Sequence, residues 1–78
     1  MEQNTAVRPL TRGEQETETA ATRLIELIEE ALSVVAIQSS EVDSLEAIAD
    51  RIERAARDLS VALRELAHER RTAQNAAE

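Results

Sequence analysis

The stretch Ala20-Ala21-Thr22-Arg23-Leu24-Ile25-Glu26-Leu27-Ile28-Glu29-Glu30-Ala31-Leu32-Ser33-Val34-Val35-Ala36 decides the fold. Its aliphatic and alanine positions recur three and four residues apart, the spacing that places side chains on one side of an α-helix. At 100° per residue they cover an arc of roughly 200°, and Arg23, Glu26, Glu29, Glu30 and Ser33 fill the remainder. An arc this wide exceeds the narrow seam of a two-stranded coiled coil, so the helix must touch at least two neighbours. Ile37 falls on the polar side of the same wheel, which predicts that the helix ends or bends there.

Toward the C-terminus, Gln38-Ser39-Ser40-Glu41-Val42-Asp43-Ser44 is the one interior run rich in poor helix formers and cap residues. Ser40 with Asp43, or Asp43 with Glu46, has the spacing of a helix cap, and the turn is placed here. A second helix is expected from about Glu41 to Arg71. Leu45, Ile48, Ala49, Ile52, Ala55, Ala56, Leu59, Ala62, Leu63, Leu66 and Ala67 form its apolar arc of roughly 140°. This stripe is narrower and richer in alanine than the first, and its small residues allow a neighbouring backbone to approach closely. Residues 72–78 carry no pattern and are expected to fray.

Toward the N-terminus, Thr11 and Glu14 have capping-box spacing. Gly13 and the polar run Glu14 to Thr19 offer little to pack, however, so the helix start is placed nearer Thr17 or Thr19, with acidic residues suiting its positive end. The expected organisation is therefore a polar N-terminal arm over 1–16, a helical hairpin domain over 17–71 and a tail over 72–78. The fold class is all-α, an antiparallel two-helix hairpin (about 17–37 and 41–71) that forms a homodimeric four-helix bundle. One alternative stays open. A heptad series from Ala21 through Leu24, Ile28, Ala31, Val35, Gln38, Val42 and Leu45 to Leu66 runs through the turn without a slip, as a single long helix in a coiled coil would.

Composition explains why association is expected at all. The chain has 78 residues, no Phe, Trp, Tyr or Cys, and 42% hydrophobic residues, of which 14 are alanine. A core this thin balances chain entropy poorly, and chains of this size recruit disulfides, metals or oligomerisation. Disulfides are excluded by the lack of cysteine. Leu24, Ile28, Leu32, Val35, Ile52, Leu59, Leu63 and Leu66 are the candidate oligomer-interface residues. Ile37 and Val61, aliphatics on otherwise polar faces, are candidates for docking another protein.

Charge and motif content narrow the function classes. The net charge is −7, and residues 14–44 alone carry −7, while all nine cations are arginine. Such a field repels phosphate backbones, so nucleic-acid binding is not expected, whereas a basic partner would be drawn in. No run of apolar residues reaches the length of a membrane span, and a cytoplasmic location is expected. Glu65-Leu66-Ala67-His68 has the Glu-x-x-His step of bundle metal sites, with Glu26, Glu29 or Glu30 as partners from the first helix. Both Glu65 and His68 fall far from the apolar stripe, so they are expected to face water and no metal or cofactor is expected. His68 is the single histidine, and no nucleophile sits at a recognised spacing from it, so no enzymatic activity is expected. The leading reading is a small interaction module (adaptor, regulator or chaperone-like) acting as a helical homo-oligomer. The alternative is an acidic inhibitor or nucleic-acid mimic that presents Glu14, Glu16, Glu18, Glu26, Glu29 and Glu30 to a basic protein surface.

Overall fold

The computed structural model describes residues 8–37 and 41–77, the last by its backbone alone. Two helices, α1 (Arg12–Ala36) and α2 (Val42–Ala77), pack side by side as a hairpin. Cross-helix contacts between Gly13 and Glu69, Thr17 and Ala62, and Glu30 and Arg51 run in opposite chain directions, so the pairing is antiparallel. They also fix the register, in which residue n of α1 lies level with residue 81 − n of α2, give or take two. The long-helix alternative is overturned, because Ile37 leaves the helix with extended backbone (φ −95°, ψ 106°) while its N–H donates to the Val34 carbonyl at 3.1 Å.

α1 begins five residues before the expected Thr17. Its start is a complete capping box. Thr11 Oγ1 accepts the Glu14 N–H at 3.1 Å, and a Glu14 carboxylate oxygen accepts the Thr11 N–H at 3.0 Å. The polar run that argued against this start does have an inward face, built from small residues. Gly13, Thr17 and Ala20 are half-buried against α2, and the Thr17 hydroxyl donates to the Gly13 carbonyl at 2.8 Å, which removes its cost of burial.

α2 also outruns its expected end at Arg71, because Thr72 to Ala77 are helical rather than frayed. Ala73, Gln74 and Ala76 are good helix formers and nothing there breaks the ladder. Its first turn carries Asp43 inside the helix, where it meets the positive end of the dipole, so Asp43 with Glu46 is not the cap. The Glu41 carbonyl accepts the first such bond, from the Leu45 N–H at 3.2 Å. Ser40, the other cap candidate, lies outside the described residues, as do residues 1–7 of the expected N-terminal arm.

The molecule measures 58 × 32 × 12 Å, and its shortest dimension is about one helix diameter. A single layer of two helices has one seam and no interior. Leu27, Ile48, Ala55 and Ala62 are the buried hydrophobic residues, and no large side chain is fully buried among the described residues. Ala55, 2% exposed, and Ala62 sit where the helices meet, so the close approach that small residues permit is used within the hairpin. No described helix is long and apolar enough to cross a membrane.

Candidate interaction surface

Each helix presents three sectors around the seam. On α1, Leu27 and Val34 point into the seam. Ala21, Leu24, Ile25, Ile28, Leu32 and Val35 lie to one side of it, and Glu16, Thr19, Arg23, Glu26 and Glu30 lie to the other. On α2 the seam runs through Ile48, Ala55 and Ala62. Leu45, Ala49, Ile52, Ala56, Leu59, Leu63 and Leu66 lie to one side, and Arg51, Arg54, Asp58, Val61 and Glu65 to the other. Because the helices are antiparallel and right-handed, the two apolar sectors emerge on the same face of the slab and the two polar sectors on the opposite face.

Surface depressions reflect this division. An apolar dip of about 190 Å³ is lined by Ala31, Val34, Val35, Leu45, Ile48, Ala49 and Ile52. On the other face, an open groove is walled by Glu16, Arg23, Asp58, Val61 and Glu65 over a floor of Ala20, Ala55 and Ala62.

The eight residues assigned to association from sequence divide into two groups. Leu24, Ile52, Leu59 and Leu66 are half-buried along the edge of the hairpin seam. Ile28, Leu32, Val35 and Leu63 remain exposed, Leu32 at 68% and Val35 at 72%. The apolar face includes two further exposed members, Ile25 and Leu45. Sequence reading placed both within the stripes but did not single them out. Their signal was the width of the arcs, since a helix with one partner has no use for apolar residues so far from its seam.

The two docking candidates are separated. Val61, 45% exposed, stands in the alanine-floored groove of the second face, whereas Ile37 caps α1 at the turn end. The register puts roughly 25 Å of helix between their levels, so they do not form one patch.

The open end of the hairpin is fastened by charge. The Arg8 guanidinium donates to both Glu14 carboxylate oxygens, at 2.9 and 2.8 Å, and Arg70 of α2 donates to the same carboxylate at 3.1 Å. The Arg8 hydrogen bonds chiefly, then the Thr11 N–H and Arg70, hold the Glu14 carboxyl down at about 2. The same contact raises the Arg8 guanidinium above its ordinary value. Glu69 supplies a second clamp, accepting the Thr11 hydroxyl at 2.6 Å and the Gly13 N–H at 3.2 Å. A Cβ on residue 13 would lie 2.9 Å from the Glu69 carboxylate, which is why glycine suits this position.

These pairings thin out the acidic set named for a basic partner. Glu14 is enclosed by two arginines with its side chain 11% exposed, Glu16 pairs with Arg12 at 3.1 Å, and Glu30 pairs with Arg51 at 3.3 Å. The Glu-x-x-His step is also taken apart. Glu65 lies level with Glu16, about 15 Å along the hairpin from Glu26, and His68 is exposed. Among the described residues no group of three His, Cys, Asp or Glu side chains could hold a metal ion.

No family model, no curated protein and no solved structure matches this chain.

Proposed function

We propose that the protein is a small, non-enzymatic interaction module (an adaptor, regulator or chaperone-like partner) that acts as a helical homo-oligomer through its apolar face. One observation carries the reading: Ile25, Ile28, Leu32, Val35, Leu45 and Leu63 are all more than 40% exposed on one side of a slab one helix thick. Contiguous exposed apolar surface of this kind marks association sites. It is also the surface that the thin intramolecular core leaves without compensation.

The magnitudes favour association. Completing the burial of a half-exposed Leu or Ile contributes about 1 kcal/mol, so six such side chains on each of two copies contribute about 12 kcal/mol. Association costs about 4–15 kcal/mol in lost freedom, a range that this gain spans, and completing the burial of the half-buried Leu24, Ile52, Leu59 and Leu66 adds to the favourable side.

Sedimentation equilibrium combined with circular dichroism over a wide concentration range tests the reading. Helicity that rises together with assembly supports it. A fully helical monomer at micromolar concentration overturns it.

A further inference from the structure

We propose that two copies join face to face about a two-fold axis parallel to the helices, so that α1 of each copy lies in the groove beside α2 of the other. This deepens the interaction reading above and rests on it. Two stacked hairpins have two symmetric solutions. With the axis along the bundle, α1 meets the partner's α2 at both contacts. With the axis across the bundle, α1 meets α1 at one contact and α2 meets α2 at the other.

Side-chain size separates the two solutions. Beside the half-buried Ala21, the apolar sector of α1 exposes four bulky side chains: Ile25, Ile28, Leu32 and Val35. The apolar sector of α2 sets Ala49 and the half-buried Ala56 between Leu45, Ile52 and Leu63. Placing α1 on α1 sets large against large and forces that pair apart, while the α2 pair closes. The two layers cannot then lie parallel. Placing α1 on α2 sets Ile25 and Leu32 against alanines, with Ile28 and Val35 level with Ile52 and Leu45 of the partner subunit, and gives both contacts one spacing.

An axis along the bundle preserves height, so the intrachain register carries over to the contact between copies. Ile25 comes level with Ala56 of the partner subunit, and Leu32 with Ala49 of the partner subunit. Ala49 lines the apolar dip between the helices, which offers a hole for that knob.

Charge weighs less than size. α1 carries six carboxylates against two arginines, while α2 carries seven carboxylates against six arginines. Three of the six α1 carboxylates, Glu16, Glu26 and Glu30, lie on the opposite face, and unlike pairing brings Glu18 level with Arg64 of the partner subunit at the rim but Glu29 level with the partner subunit's Glu53. The face is about 30 Å long and two helices wide, roughly 600 Å² in projection. With its corrugation it approaches the ~800 Å² per partner of a standard interface.

The chain has no cysteine, so introduced thiols are unique reporters. Wild-type protein is first tested for a particle of about 17 kDa, twice the chain mass of 8.6 kDa. Leu32→Cys and Ala49→Cys proteins are then oxidised separately and after mixing. The expected result is a disulfide-linked dimer from the mixture and none from either protein alone, because a disulfide requires Cβ atoms about 4 Å apart. An Ile28→Cys protein that links to itself, with no product from the mixture, would overturn this arrangement and leave the interaction reading standing. A wild-type protein that stays monomeric at 100 μM overturns both.

Discussion

Replacing Leu32 by Glu separates the contribution of the hairpin from that of its assembly. Both residues are good helix formers, so the helix itself loses little. Leu32 is 68% exposed in the hairpin, which therefore uses only about a third of its side-chain transfer free energy of about 2 kcal/mol. Removing that share costs a single chain under about 1 kcal/mol. In the assembly the remaining two-thirds is realised on both copies, so the substitution removes about 3 kcal/mol per dimer before any cost of burying carboxylates. At about 1.4 kcal/mol per decade, dissociation becomes at least 100-fold easier. Sedimentation equilibrium from 1 to 100 μM reads this directly, with circular dichroism at the highest concentration as a check on the hairpin. A change in the dissociation constant of less than threefold would refute the assignment of Leu32 to the interface.

Four further outcomes are expected. Glu14→Gln should flatten the acid limb of the stability curve. The native Glu14 carboxyl is held at about 2 against an ordinary 4.5, so its contribution is complete above about pH 4.5 and is lost as pH falls toward 2. Melting temperatures of the two proteins should therefore converge across that window, and a constant gap down to pH 2 would contradict the clamp. Gly13→Ala should stabilise a Glu69→Ala protein through helix propensity, by less than the roughly 1 kcal/mol of an interior site because residue 13 lies in the first turn. In the native background it should give much less, since its Cβ displaces the Glu69 carboxylate, and thermal melts of the four proteins measure the difference. Ala55→Leu should cost about 1–3 kcal/mol in thermal unfolding, because the residue is 2% exposed where the helices touch. Val61→Lys should leave both helicity and dimerisation unchanged, because Val61 stands on the polar face, and a loss of dimer in sedimentation would place the interface on the wrong side.

The acid sensitivity and the assembly are physically linked through the slab. With one seam and no interior, the hairpin draws its order from a row of small contacts and from the clamps that Glu14 and Glu69 make at one end. Any second copy adds a second seam about 30 Å long, so assembly and hairpin stability should rise together with concentration.

Sequence alone determined the helices, their amphipathic faces and the excess of apolar surface, because the 3.6-residue period is a local property written in side-chain order. It also placed the turn, since Ile37 breaks the wheel and the cap residues follow it. Tertiary structure decided what periodicity does not encode. Which part of a 200° arc becomes the seam depends on the partner helix, so the buried residues proved to be Leu27, Ile48, Ala55 and Ala62, while Leu32 and Val35 were left to water. The start at Arg12 uses the local Thr11–Glu14 capping box that the sequence offered, and what the tertiary structure added is Glu69, 58 residues from Thr11 in the chain, closing on a cap whose inward face is glycine and threonine rather than aliphatic. The gathering of both spare apolar sectors on one face, the feature on which the proposed assembly rests, follows from antiparallel packing and exists only once the two helices meet.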